Sequence, residues 1–258
     1  MKRPNLYDRL KVIAILTMIV DHLGYVFFPV TLDWSPENLW LRLVGRIAFP
    51  IFLFLVGFNG NYKRRRDLFW FAIAIQIPIV VASVWFHFGW LTLNILRGIL
   101  IGRVVLGLVN WVNWATKPSL LSFTKFIIFT IGLFLIHPWL MQVVDYGSFV
   151  ILFPLGGVLM RLGGQKRFLS LLYLIICFTW LRFFSWYVFW FDVLQLFILG
   201  GFFILLLCIF FVLWQGNRYL PIGKKIDACI LFVSKNALLV YVFHLLILRW
   251  VKIILLWR

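Results

Sequence analysis

Acidic residues are scarce in this chain. Only 8 of its 258 residues are Asp or Glu, against 25 Lys and Arg, and charged residues together make up 13% of the sequence. Soluble domains usually contain about 25% charged residues and roughly 45–50% hydrophobic residues, whereas this chain is 64% hydrophobic. A soluble protein cannot cover so much apolar surface with so few charges. The composition therefore excludes an ordinary soluble domain and predicts that the protein is embedded in a lipid membrane.

Cysteine is also rare. The chain has three cysteines, and all lie in apolar segments: Cys177, Cys208 and Cys229. Free cysteine packs like a small hydrophobic residue, so these three are predicted to be core residues and not a disulfide or a metal set. The four histidines have no Cys or Glu at ligand spacing, and no metal site is expected.

Long apolar runs dominate the chain. A membrane-spanning helix needs about 20 mainly apolar residues, and nine stretches approach that length, with eight to ten as the range. They predict an all-α, polytopic membrane bundle that forms a single domain over 1–258. The predicted spans are 10–30, 40–59, 68–86, 90–109, 124–142, 146–161, 168–190, 194–214 and 228–250.

Basic residues alternate between the loops that join these spans. Sixteen of the 25 fall at the N-terminus and in the second, fourth, sixth and eighth loops. Basic residues collect on the cytoplasmic side of membrane proteins, which predicts a multi-pass protein with a cytoplasmic N-terminus. Because topology accounts for most of the net charge of +17, membrane lipids are expected as partners and nucleic acid is not.

A few ionisable groups within the predicted spans are not accounted for by this topology. Such groups cost at least ~2.5–3.5 kcal/mol each at bilayer depth, so they face the protein interior and are functional candidates. They are Asp21, His22, Arg46, Arg97, Arg103 and His244.

Lys11 and His22 are eleven residues apart on the first span. This spacing places both on one helix face, about 16 Å apart along the axis. Asp21 is turned by about 100° from His22, and we expect it to pair with another helix, with Arg46 as the candidate. The alternative is that Asp21 and His22 form a buried polar pair that only fixes helix packing.

Ser234, Tyr241 and His244 follow one another on the last span at spacings of seven and three, which predicts one shared face. Tyr and His each have an apolar ring and a polar end, which also suits a membrane interface, so an interfacial position is the alternative. His87 and His137 fall near span ends and are expected to be interfacial histidines.

Arg97 and Arg103 share the fourth span with Asn94. Two arginines in one helix, with few intramembrane acids to neutralise them, favour an anionic or phosphate-bearing ligand. The alternative is that they pair with Asp145 or Asp192 from the outer side.

Two sequence blocks carry a family resemblance. Met18-Ile19-Val20-Asp21-His22-Leu23-Gly24 and Gly45-Arg46-Ile47-Ala48-Phe49-Pro50 resemble TraX-type proteins, the F-pilin acetylases. The spacing from Lys11 to His22 is similar to the pattern of a wider group of membrane acyltransferases, which includes relatives of heparan-α-glucosaminide N-acetyltransferase. Weaker blocks follow in the expected order at 94–102, 145–147 and 241–248.

The resemblance implies an acyltransferase of the bacterial cytoplasmic (inner) membrane. It would move an acetyl group from cytoplasmic acetyl-CoA to an amine or hydroxyl acceptor, such as a peptide N-terminus or a glycan, in or across the membrane. The implied roles are catalysis by His22 as base or acyl carrier with Asp21, binding of acetyl-CoA by Lys11, Arg46, Asn94, Arg97 and Arg103, and support of the substrate by Tyr241 and His244.

One stretch departs from the family pattern. TraX-type sequences commonly have a Glu-Gly and a His-Thr pair after the second helix, whereas this chain has Val56-Gly57-Phe58-Asn59-Gly60-Asn61. Because of this departure, the resemblance does not identify the acceptor.

The sequence also allows two rival functions. One is an anion or small-molecule transporter or channel that uses the same arginines, but the sequence shows no paired halves with broken helices, which many transporters have. The other is a scaffold. The chain could also form an oligomer.

Overall fold

The structure, a computed structural model, describes most of the chain. The described residues are 4–27, 41, 44–45, 47–60, 69–74, 77, 95–111, 120–141, 146–163, 166–189, 200–201 and 223–256.

These residues form helices and the turns between them, and no strand occurs among them. The predicted all-α class is therefore confirmed for this part of the chain. The helices are α1 Leu6–Phe27, α2 Ala48–Asn59, α3 Ile95–Trp111, α4 Leu120–Leu135, α5 His137–Leu140, α6 Phe149–Leu162, α7 Lys166–Phe189, α8 Lys224–Lys235 and α9 Ala237–Leu256.

Two predicted spans are each divided into two helices, so their prediction as single helices was wrong. The span 124–142 breaks at Ile136 into α4 and α5, and Pro138 stands in the first turn of α5, where a residue without a backbone N–H is tolerated. The span 228–250 breaks at Asn236 into α8 and α9, whose axes bend by 78°. The Asn236 side-chain amide donates to the Phe232 carbonyl at 2.9 Å, a local bond that competes with continuation of the helix.

The lengths of the helices bear on the membrane prediction. Within the described residues, no single helix combines the length and mean hydropathy needed to cross a membrane, whereas α8 and α9 meet that requirement as a bent pair. The predicted spans 68–86 and 194–214 lie mostly outside the described residues.

The chain divides into two compact units. One contains Met1–Phe52 and Phe178–Arg258, and therefore α1, α8 and α9; the other contains Leu53–Cys177, and therefore α3 to α6. The prediction of a single domain over 1–258 stays a prediction.

In the second unit, α6 is the central helix. Phe149, Leu152 and Phe153 are fully buried, and so is the turn around Gly156 and Gly157. Such complete burial leaves no face of this part of α6 for solvent or lipid, so each side must pack against another helix.

Glycines bring neighbouring helices close to α6. Gly57 of α2 lies against the Pro154 carbonyl, Gly157 lies against the Phe54 carbonyl, and Gly102 of α3 lies against the Val150 carbonyl. Small residues allow helix backbones to approach closely, which is the common way that helices pack in lipid. These glycines therefore set the distances from α6 to α2 and α3.

The cysteine prediction was partly wrong. Cys177 is buried as expected, but Cys229 on α8 is exposed. Cys208 lies outside the described residues.

Replacing Gly57 by Ala tests the close packing of α2 on α6. A methyl group there would meet the Pro154 backbone, so we expect a loss of about 1–3 kcal/mol in the free energy of unfolding. Gly132→Ala on α4 is the matched control, since its methyl group meets nothing within 4 Å and should stabilise the helix by up to about 1 kcal/mol. Denaturant unfolding in mixed micelles measures both, and equal stability of the two variants would contradict the packing.

Candidate functional site

The start of α1 is fixed by a reciprocal pair of hydrogen bonds. The Asp8 backbone N–H donates to Asn5 Oδ1 at 2.9 Å, and the Asn5 N–H donates to Asp8 Oδ2 at 3.0 Å. This is a capping box, which satisfies N–H groups that have no partner within the helix. The other oxygen of Asp8 accepts the Ser234 hydroxyl at 2.6 Å. One carboxylate thus caps α1 and joins it to the end of α8.

Lys11 lies one turn further along α1 and contacts the same end of α8. Its Nζ donates to the Ser234 carbonyl at 2.6 Å and lies 5.9 Å from the centre of the Tyr7 ring. Carbonyls in the last turn of a helix have no donor within it, and a positive charge is favourable there. Lys11 therefore caps α8. An ion pair of 3.6 Å between Arg9 and Asp227 adds a second charged contact between α1 and α8.

His22 contacts a second histidine. Its Nδ1 lies 2.8 Å from His244 Nε2, and the two rings have their centres 5.1 Å apart and their planes inclined by 26°. His244 is held in turn by its own helix, because its Nδ1 lies 2.9 Å from the Val240 carbonyl. The Tyr241 ring packs edge-on against His244, with centres 5.6 Å apart. The site therefore joins α1 and α9 through two imidazole rings.

The two ends of the predicted stripe on α1 contact two consecutive helices, α8 and α9. Lys11 contacts α8 and His22 contacts α9, as their spacing on one helix face predicts. The prediction that Ser234 shares a helix face with Tyr241 and His244 was wrong, because the bend of 78° separates Ser234 from them. Ser234 and His244 both reach α1 nevertheless.

Asp21 packs against the segment that precedes α2. Gly45 is buried, and a methyl group on it would collide with the Asp21 side chain and Cα. Only a glycine allows this approach of the two segments. Arg46 follows Gly45 directly but lies outside the described residues, so the pairing of Asp21 with Arg46 and the orienting role of Asp21 stay predictions.

The remaining predicted ligands of acetyl-CoA lie outside the first unit or outside the described residues. Arg103 is half-buried on α3 in the second unit. Arg97 is on the same helix, but its side chain is not among those described, and Asn94 is outside the described residues altogether. Their role in binding stays a prediction.

His137 was expected at an interface, and this prediction was wrong. Its side chain is 1% exposed, and its Nδ1 lies 2.9 Å from Ser148 Oγ and accepts the Ser148 backbone N–H at 3.2 Å. The chain reaches this position through a turn in which Tyr146 and Gly147 have φ of 68° and 51°, values that favour glycine. His137 thus caps the start of α6, and His87 lies outside the described residues.

Two features of the site were not predicted. Asp8 had a usable signal, since an Asn followed three residues later by Asp before an apolar run is typical of a capping box. The contact of His22 with His244 had none, because the two residues are 222 positions apart in the chain and share no local pattern.

Removing the amino group of Lys11 tests its role as a cap. We expect Lys11→Met to lower the free energy of unfolding by about 1.5 kcal/mol, because the Ser234 carbonyl loses a charged donor. Lys235→Met is the control, since Lys235 is also near the end of α8 but exposed. Denaturant unfolding of both variants in micelles checks this. An unchanged unfolding midpoint for Lys11→Met would show that the contact of Lys11 with Ser234 does not stabilise the protein.

Comparison with known proteins places the chain in a family. No solved structure matches it. An uncharacterized protein, RP591, of Rickettsia prowazekii (strain Madrid E) is 32% identical over 101 residues, which cover 39% of this chain and 36% of that protein; the match thus spans about a third of the relative's own length. The TraX protein family matches over residues 7–252, a range that includes both His22 and His244. The chain belongs to the TraX family.

Proposed function

We propose that this chain is a membrane-embedded acetyltransferase that moves an acetyl group from cytoplasmic acetyl-CoA to an amine or hydroxyl acceptor. Its family is associated with pilin acetylation. The observation that carries the proposal is the contact of His22 with His244 at 2.8 Å, on the face of α1 that also bears Lys11. A transferase needs a base or nucleophile near neutral pH, and a positioned imidazole meets that need.

The proposed setting is the bacterial cytoplasmic membrane, with the N-terminus in the cytoplasm. The hydrophobic fraction of 64% and the alternation of basic residues between loops support it. In this orientation Lys11 lies at the cytoplasmic end of α1 and His22 lies about 16 Å deeper. Acetyl-CoA would reach His22 from the cytoplasmic side, with its phosphates near Lys11.

The proposed donor site begins at Lys11 and follows α1. A lysine ammonium group carries three donor hydrogens, and the Ser234 carbonyl accepts one of them. Lys11 can therefore cap α8 and also contribute charge to a phosphate. A guanidinium group matches the geometry of phosphate oxygens, and binding of phosphate by Arg97 and Arg103 stays a prediction from the sequence alone.

The proposed reaction transfers the acetyl group to the acceptor and one proton from the acceptor to CoA. The lone pair of the acceptor nitrogen or oxygen attacks the thioester carbonyl of acetyl-CoA, the carbon–sulfur bond breaks, and the CoA thiolate leaves. His22 takes the proton of the acceptor, and that proton returns to the thiolate as CoA is released. The acceptor is an amine or hydroxyl on a peptide N-terminus or a glycan.

Replacing His22 by Ala tests the proposal. Detergent-solubilised protein is incubated with acetyl-labelled acetyl-CoA and bacterial membrane extract, and both CoA release and labelled products are followed. We expect His22→Ala to lower the rate at least about 100-fold, the usual contribution of general acid–base catalysis.

The control is Leu16→Ala on the same helix, because Leu16 is 57% exposed and its loss should leave the rate unchanged. Acetyl-CoA should also raise the unfolding midpoint of the wild-type protein. A folded His22→Ala variant with full activity would refute the role of His22. Absence of both CoA release and stabilisation by acetyl-CoA would refute the proposed function and favour a transporter or scaffold.

A further inference from the structure

We propose that His22 and His244 form a directed two-histidine proton relay, in which His22 Nε2 is the reacting nitrogen and His244 is the positioning residue that accepts the proton of His22 Nδ1. This inference rests on the proposed function for its chemical role. The direction of the hydrogen bonds, however, follows from the geometry of the described residues alone.

The tautomer of His244 is set by its own helix. Its Nδ1 lies 2.9 Å from the Val240 carbonyl oxygen, and a carbonyl oxygen can only accept a hydrogen bond. His244 Nδ1 must therefore carry the hydrogen. In the neutral ring the other nitrogen, Nε2, then holds the lone pair, and this is the nitrogen that lies 2.8 Å from His22.

The tautomer of His22 follows from that of His244. Because His244 Nε2 is an acceptor, the short contact requires His22 Nδ1 to donate, so the hydrogen of the neutral His22 ring is on Nδ1. This assignment leaves the lone pair of His22 on Nε2. The hydrogen bond that one ring nitrogen makes sets the role of the other nitrogen of an imidazole. The hydrogen bond to His244 thus selects which nitrogen of His22 acts as base.

The pair can also share the charge that forms during transfer. When His22 Nε2 takes the proton of the attacking acceptor, the hydrogen on His22 Nδ1 can pass to His244 Nε2. His22 is then neutral, with its hydrogen on Nε2, and His244 is an imidazolium whose Nδ1–H points at the Val240 carbonyl. The same two transfers in reverse deliver one proton from His22 Nε2 to the CoA thiolate. No hydrogen or charge is gained or lost.

The surroundings of His244 suit a positioning role. It is one turn after Val240 on α9, and the edge-on ring of Tyr241 packs against it. Tyr241 is itself 7% exposed, so it cannot move freely away from the ring. His244 is therefore held by a backbone acceptor and by a buried ring, and its Nε2 stays directed at α1.

Nitrogen-15 NMR on histidine-labelled protein in micelles at neutral pH tests the direction of the relay without any activity. The chain has only four histidines, so spectra of His22→Ala and His244→Ala assign both rings. We expect His22 to carry its hydrogen on Nδ1, and the form with the hydrogen on Nε2 to become more populated in His244→Ala. A His22 ring with its hydrogen on Nε2 in the wild-type protein would overturn the relay.

Variants of His244 test its chemical role. His244→Phe keeps a ring of similar size but has no acceptor, whereas the amide oxygen of His244→Gln can accept the His22 Nδ1–H. We expect kcat to fall at least tenfold in His244→Phe and to recover by a factor of several in His244→Gln. The KM for acetyl-CoA should stay within about twofold, since neither change touches the nucleotide site. Equal rates of CoA release for the wild type and His244→Phe would overturn the relay.

The two experiments separate the failure of the relay from the failure of the proposed function. If the wild-type protein transfers acetyl groups but His22 has its hydrogen on Nε2, the relay is wrong and the proposed function stands. If His22 has its hydrogen on Nδ1 but acetyl-CoA neither binds nor reacts, the proposed function is wrong and the directed histidine pair belongs to another activity.

Discussion

The contact between His22 and His244 is the constraint on which the arrangement of α1 and α9 depends. It acts together with the contact of Lys11 and Asp8 with Ser234 at the other end of α1. Two attachment points on one helix face fix both the rotation of α1 and its position along its axis. One continuous segment of chain, bent by 78° at Asn236, supplies both partners.

The pair of His22 and His244 consists of two imidazoles, in a chain that has only 8 acidic residues. Catalytic histidines are commonly oriented by a carboxylate, but burying a carboxylate with an imidazolium costs desolvation of two charges. A second imidazole, held by the Val240 carbonyl, can orient the first while both are neutral. Asp8, an acidic side chain at the start of α1, caps that helix and holds α8.

The sequence predicted the local properties well, because they depend on neighbouring residues. The helical class and the shared face of Lys11 and His22 follow from composition and spacing. The break at Asn236 and the burial of His137 could not be predicted in this way. The break at Asn236 combines a local bond to the Phe232 carbonyl with the cap that Lys11, from a distant part of the chain, provides at the end of α8. The burial of His137 depends on its contact with Ser148 at the start of α6.

A double-mutant cycle between His22 and His244 measures the interaction that joins α1 to α9. The free energies of unfolding of the wild type, His22→Ala, His244→Ala and the double variant are compared in mixed micelles. Residues in direct contact through a hydrogen bond should show a coupling of at least about 0.5–1 kcal/mol. Additive effects of the two substitutions, within about 0.3 kcal/mol, would show that the two rings do not interact and would contradict the site described above.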